Sequence, residues 1–402
     1  MKYSQEEVIQ YMQEEDVKFI RIAFCDVFGK QKNIAIMPDE LPRAFEYGIS
    51  FDGSAIAGFG DEVYSDLLLH PIAETLIPLP WRPEHGRVVQ MFSTITHPDG
   101  TPFKCDTRNL LKKAVEDAKK AGFAFTFGSE QEFYLFQLDE NGNSTNIPCD
   151  RAGYMDIAPE DKGENIRREI CLTLEQMGIR PESSHHEEGP GQNEVDFRFT
   201  DPINAADNTM TFQRVVKSVA HRNGMVADFS PKPIENEPGN GFHINMSVRP
   251  LTNDNFSFMT AGLLKHSRAM TAFLNPGEDS YKRLGNHKAP LYVSWSYENR
   301  SQLLRVPAAV GEYRRVELRS PDSMANPYLA FTLMIYAALD GITQKMPLED
   351  PSNLNLFTAD MDKVSHYERL PGIFKEACQI AAADDFIKAH IPSDILKIYC
   401  EK

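Results

Sequence analysis

The sequence predicts an α+β protein in two parts, a small module over residues 1–100 and a larger domain over 101–402. Period-two runs such as VKFIRIAFC and GSEQEFYLF read as strands. Helical stretches are mixed among them without strict βαβ alternation. The turn HPDGTPF near residue 100 separates a strand-rich beginning from a helix-rich remainder.

In order, Val17–Cys25 and 33–37 are two strands joined by the turn DVFGK, and 38–47 is a helix. Residues 51–60 (FDGSAIAGFG) form a glycine-punctuated loop, and 87–95 a further strand. Beyond the boundary, 107–121 is a helix capped by Asp106 or Thr107. Strands follow at 123–138 and 193–199, and helices at 164–177, 211–223, 258–274 and 326–344. There are no internal repeats and no low-complexity stretch.

The chain has 402 residues, is 42% hydrophobic and carries a formal net charge of −16. That charge, without a basic block, argues against nucleic acid or an anionic membrane as partner. The start, MKYSQEEVIQYMQEEDV, is no targeting peptide. The apolar run 328–339 is too short to span a bilayer and reads as a buried helix. Cysteines without paired spacing are expected to be reduced thiols, in a cytoplasmic protein.

Alternation places Glu130 and Glu132 on one strand face with Tyr134 and Phe136. Adjacent carboxylates in an aromatic stretch are protonated, paired with basic groups, or bridged by a cation. SSHHEEGPGQNEVDF adds Glu187 and Glu194 on either side of a turn, with Asp196 and Arg198 on the face of Glu194. By itself that segment also reads as a solvated acidic hairpin. Taken alone, His243, in GNGFHINMS, reads better as a core histidine hydrogen-bonded to backbone. Arg315, Glu317 and Arg319 share a face in RRVELRSPD, after Arg283, Arg300 and Arg305. These arginines suit phosphate or carboxylate, or ion pairs with the acidic strands.

Together, Glu130, Glu132, Glu187, Glu194, His243 and Glu317 are hard donors that suit Mg²⁺ or Mn²⁺. Such ions beside arginines are equipment for phosphoryl transfer. No GxxxxGK[ST] or strand-linked GxGxxG is present, so a nucleotide would be held by metals and arginines.

FDGS, GSEQEF, SHHEEGPGQNEVDF, GNGFHINMS, SYKRL, NRS…LRVP and RRVELRSPD…ANPYLA stand in an order and spacing that resembles type I glutamine synthetases, as far as about residue 390. The resemblance implies a β-grasp-like N-terminal domain and a large glutamine-synthetase-type catalytic α/β domain. It implies homo-oligomeric rings with active sites between subunits. ATP and glutamate would form γ-glutamyl phosphate, which ammonia converts to glutamine. By motif, Glu132, Glu187 and Glu194 would hold one divalent ion, and Glu130, His243 and Glu317 another. Arg283, Arg319 and Gly239 would bind glutamate, and Arg300 the transferring phosphoryl group. Arg305, Arg315 and Ser247 would serve ATP. Asp52 of a neighbouring subunit, with Tyr154 and Glu187, would bind and deprotonate ammonium.

The chain also departs from that pattern. The flap of the type VPGYEAP is here the shorter GNHKAP, with Lys288 at the glutamate position. A cation there would repel ammonium. Ala55 replaces a serine, Pro238 an asparagine, and Phe357 a tyrosine that some members adenylylate. The short C-terminus favours a hexamer over a dodecamer. These departures leave open a γ-glutamyl ligase for another amine, or a catalytically weak regulatory paralogue.

Overall fold

The computed structural model describes residues 3–60, 63–82 and 85–401. The chain divides into two units, residues 1–110 with 172–179, and residues 111–171 with 180–402.

The first unit opens with helix α1 (Gln5–Glu14). Ser4 and Glu7 form a reciprocal capping box that satisfies two otherwise orphaned N–H groups. Strands β1 (Val17–Cys25), β2 (Gln31–Ile36), β3 (Ile49–Asp52), β4 (Asp66–Pro71), β5 (Ile77–Pro78) and β6 (Arg87–Thr96) form one sheet. Its order is β2-β1-β6-β4-β3, with β5 also on β6. β1 and β6 run parallel at its centre. The expected helix at 38–47 is a 3₁₀ turn at Pro38–Glu40 running into α2 (Leu41–Tyr47). The segment expected as a loop from residue 51 begins inside β3, where Phe51 pairs with Leu67. Its glycines and acidic neighbours mask the strand periodicity.

Helix α3 (Thr107–Lys120) starts where expected. Asp106 is its cap, accepting from the N–H groups of Arg108 and Asn109 at 3.1 and 3.2 Å. Helix α4 (Glu164–Gln176) likewise matches its predicted span.

The second unit is built on β7 (Ala124–Leu138). Around it lie β8 (Ser144–Pro148), β9 (Pro181–His186), β10 (Gln192–Thr200), β11 (Met225–Asp228), β12 (Phe242–Arg249), β13 (Trp295–Tyr297), β14 (Leu304–Val306) and β15 (Val316–Leu318). The order is β13-β14-β15-β12-β7-β10-β9, with β8 and β11 also on β7. Odd-numbered side chains of β7 form one buried face. Phe127 stacks on Phe331 at 4.3 Å, and Phe133 meets Phe212 at 6.3 Å. Phe212 lies in α5 (Pro202–Arg222). The even-numbered face carries Glu130 and Glu132.

Helix α5 begins nine residues ahead of the expected Thr211, because Asp201 caps it and Pro202 occupies its first turn. Helix α6 (Asn253–Leu274) likewise starts early, at a Thr252 cap. The short α7 (Ser280–Arg283) precedes α8 (Pro327–Gln344), the helix that contains the apolar run and Phe331 and is buried along most of its length. A β-carbon on Gly262 would lie 2.1 Å from the Ala337 carbonyl oxygen, and one on Gly341 2.1 Å from that of Phe258. Only glycine permits this approach of α6 to α8. Helices α9 (Met361–Val364), α10 (Phe374–Ala383), α11 (Asp385–His390) and α12 (Ser393–Cys400) complete the unit. Among the described residues, no helix is long and apolar enough to cross a membrane.

Candidate active site

Strand register assembles the acidic residues. Glu194 of β10 pairs with Glu132 of β7, and Asp196 pairs with Glu130. On the other side of β7, His243 of β12 pairs with Glu130. Glu317 of β15 pairs with Asn245 of β12 and with Arg305 of β14. The hairpin between β9 and β10 closes with the Glu187 N–H donating to the Gln192 carbonyl at 2.8 Å, which brings Glu187 beside Glu194. Like charges directly opposite destabilise a sheet, so this register requires compensation.

The two strand carboxylates each hold a neutral donor. Glu132 accepts from the Gly241 N–H at 2.7 Å and from Gln192 Nε2 at 3.3 Å. Glu130 accepts from Asn245 Nδ2 at 2.7 Å. His243 Nδ1 lies 3.5 Å from Glu130 Oε2 and 3.6 Å from Glu317 Oε1. His185, which the sequence analysis passed over, stands between Glu194 at 3.2 Å and Glu187 at 3.8 Å.

Burial and the Glu132 charge push the Glu187 carboxyl up to about 8. Burial and the Glu130 charge raise Asp196 to about 7, and burial with Asp196 and Glu132 holds Glu194 well above its ordinary value. Glu317 is the opposite case. Its burial is outweighed by Arg319, His243 and Arg305, which hold it down at about 2. Arg319 Nη1 donates to Glu317 Oε1 at 2.5 Å and Arg305 Nη1 to Oε2 at 2.6 Å. The ion-pair reading of the arginines therefore applies to these two.

A cavity of about 470 Å³ opens over this array. Its lining includes Glu130, Glu132, Glu187, Glu194, His243, Tyr154, Gly239, Arg283, Arg300, Arg305, Arg315 and Arg319. Arg283 is buried and donates to the Ser320 carbonyl at 2.7 Å. Gly239 packs so closely that a β-carbon would lie 2.3 Å from the Pro231 carbonyl oxygen and 2.9 Å from Arg283 Cγ. The Pro238 carbonyl accepts from the Tyr134 hydroxyl at 2.6 Å. A second cavity, of about 450 Å³, shares Glu130, Asp196, Ala308 and Arg315 with the first. Ser247, Phe199 and Tyr313 lie in its wall. The Ser247 hydroxyl donates to the Arg314 carbonyl at 2.9 Å, and Arg315 Nε to Asn245 Oδ1 at 2.8 Å.

Beneath the hairpin, His186 Nε2 is 2.9 Å from Asp150 Oδ1, and its Nδ1 is 2.6 Å from the Glu187 carbonyl. Both ring nitrogens thus face acceptors. Burial lowers the imidazole pKa, but Asp150 and the Glu187 carbonyl outweigh it and leave it raised. Asp150 also accepts from the Gly191 and Lys162 N–H groups at 2.9 Å each. Sequence reasoning missed this support, for which the doubled HHEE was the only signal. In the first unit, Asp52 is exposed at the end of β3, and its Oδ1 accepts from the Ser54 N–H and hydroxyl at 2.9 and 2.7 Å.

The donor chemistry fits divalent cations. Ligand atoms of Glu130, His243 and Glu317 lie within 4.8 Å of one another, as do those of Glu132, Glu194 and His243. Asp196 Oδ1, Arg305 Nε and Arg319 Nε are buried without a hydrogen-bond partner among the described residues. A cation at the first and an anion at the others would satisfy them.

Comparison with known proteins defines the class. A family model described as glutamine synthetase, catalytic domain, matches residues 104–402, and one described as glutamine synthetase, beta-Grasp domain, matches 16–98. These are the two modules of an ATP-dependent carbon–nitrogen ligase. Glutamine synthetase of Clostridium saccharobutylicum is 43% identical over 404 residues, covering 96% of this chain and 91% of its own length. That of Methanosarcina mazei is 43% identical over 416 residues, covering 99% and 93%. The chain belongs to the glutamine synthetase family. Among solved structures, GmaS in complex with ADP is similar with a TM-score of 0.88 and 27% identity, covering 97% of this chain and 93% of that one. Plasmodium falciparum glutamine synthetase, at 22% identity, shares the fold with a TM-score of 0.87 over 99% of this chain and 95% of its own.

Proposed function

We infer that the chain is an ATP-dependent glutamate–ammonia ligase acting through γ-glutamyl phosphate. One observation carries the reading. Two cavities meet at a wall that contains Glu130, Asp196 and Arg315, so a phosphate donor in one can face a carboxylate acceptor in the other. Glu132, Glu187 and Glu194 would hold one divalent ion, and Glu130, His243 and Glu317 a second, as Mg²⁺ or Mn²⁺. Bound there, such ions neutralise phosphate charge.

ATP would enter the cavity containing Ser247, with Arg305 and Arg315 on its phosphates. Glutamate would lie against Gly239, with its carboxylates on Arg283 and Arg319. A γ-carboxylate oxygen attacks the terminal phosphorus and ADP leaves, while Arg300 stabilises the moving phosphoryl group. Asp52 of a neighbouring subunit, with Tyr154 and Glu187, takes a proton from ammonium. The freed lone pair attacks the acyl phosphate and inorganic phosphate departs.

Exposed Tyr64, Tyr154, Met155 and Ile157 support assembly of copies into a homo-oligomer, for which we propose a hexamer. We place the enzyme in the cytoplasm, with no nucleic-acid or membrane partner. Lys288 at the cavity edge favours a second reading, a γ-glutamyl ligase for a different amine.

The test is phosphate release from ATP with Mg²⁺ or Mn²⁺, glutamate and a panel of amines. The expected result is glutamate-dependent release with ammonia as the best acceptor. A bulkier amine as best acceptor supports the second reading. No glutamate-dependent release with any amine overturns both.

A further inference from the structure

At the edge of the acidic cavity, a lysine ammonium rests on two groups that suit any small cation. Lys288 Nζ lies 2.5 Å from Glu188 Oε1 and 5.4 Å from the centre of the Tyr154 ring. Ring faces attract ammonium ions through their quadrupole, and a carboxylate alongside adds a full charge. Glu188 is tied to the site, since its N–H donates to Glu187 Oε2 at 3.0 Å. Tyr154 is steadied by the edge of His185 at 5.4 Å.

The lysine itself is not locked in place. It comes from a tight turn after α7, in which the Gly285 N–H donates to the Ala289 carbonyl at 3.2 Å and His287 adopts φ of 50°. The turn is fixed, but the Lys288 side chain is 51% exposed and Glu188 35%. An ion pair so exposed opens readily. The long stem can then carry the ammonium into solvent.

We propose that Lys288 is a tethered ammonium that occupies the subsite of the cationic amine substrate, between Glu188 and Tyr154, and competes with that substrate for it. The proposal rests on the ligase reading of this cavity. It replaces simple repulsion by Lys288 with reversible occupancy. The incoming amine must displace the lysine, and Glu188 then becomes available to the amine. Lys288 is thus a specificity-determining residue that sets the concentration of amine the enzyme requires.

The full-length chain and its Lys288→Met and Lys288→Ala variants test this by initial rates at saturating ATP, glutamate and Mg²⁺ over a range of ammonium. The KM for ammonium is expected to fall about two- to fivefold in both variants, the strength of an exposed ion pair. The KM values for ATP and glutamate should not move. An unchanged or higher ammonium KM overturns the proposal. A second measurement needs no turnover. Crystals of the native chain and of Lys288→Ala are soaked in thallium(I), a monovalent ion close to ammonium in size. The expected anomalous peak lies between Glu188 and Tyr154 in the variant only. Its absence from the variant, or its presence in the native chain with Lys288 still paired, overturns the proposal. If the native chain releases no phosphate with any amine, the ligase reading fails, while the thallium result still decides the subsite.

Discussion

Glu317 shows how one side chain can serve two demands. It is 0% exposed, and Arg305 and Arg319 each hold one of its oxygens. Removing it as Glu317→Ala leaves two guanidinium groups without their counter-charge in a buried setting. The expected loss is about 3–5 kcal/mol of stability, read by denaturant unfolding, together with nearly all phosphoryl transfer. A stable variant would show that the arginines find other partners. His390 makes a prediction in pH. Burial, chiefly, with Lys113 beside it, lowers its imidazole to about 4 from an ordinary 6.5. Its ring stacks on Tyr336 at 3.8 Å. Between those two values the unfolded chain binds the proton and the folded chain does not, so stability is present above 6.5 and is lost as pH falls towards about 4. Thermal melts across that window should show a smaller acid loss for His390→Gln than for the native chain. Parallel losses would remove His390 as the cause.

Elements explain what was legible in the sequence and what was not. β7 was readable from its length and its aromatic content, and period two along it exposed Glu130 and Glu132 as same-face neighbours. β13, β14 and β15 have three residues each, too few for any period to show. Consequently the pairing that sets Arg305 opposite Glu317 could not be read, although both residues could be named. Asp196 was seen on the face of Glu194, but only register shows it opposite Glu130. The first half of α5, PINAADNTM, lacks a strong apolar stripe, and the Asp201–Pro202 start signal was the better guide. Asp201→Ala should cost about 0.5–2 kcal/mol in chemical denaturation, and no change would show the cap to be redundant. Gly262→Ala forces a methyl against the Ala337 carbonyl and should cost about 1–3 kcal/mol. A neutral result would mean that α6 and α8 separate freely.

At the scale of the whole molecule, an acidic chain concentrates further negative charge in one cavity and sets arginines among it. Like charges so placed repel one another, and bound cations would relieve them. Mg²⁺ or Mn²⁺ should therefore raise the melting temperature of the native chain, because an ion bound only by the folded state stabilises it. Light scattering should give a multiple of the 45.5 kDa chain, with a hexamer expected. A monomer that retains full activity would rule out Asp52 of a neighbouring subunit as the proton acceptor. Equilibrium dialysis with Mn²⁺ reaches the central claim most directly. The native chain should bind at least two ions, and a Glu130→Ala, Glu132→Ala double variant that still folds should lose most of that binding. Equal Mn²⁺ binding by the two proteins, or none by the native chain, would contradict the account.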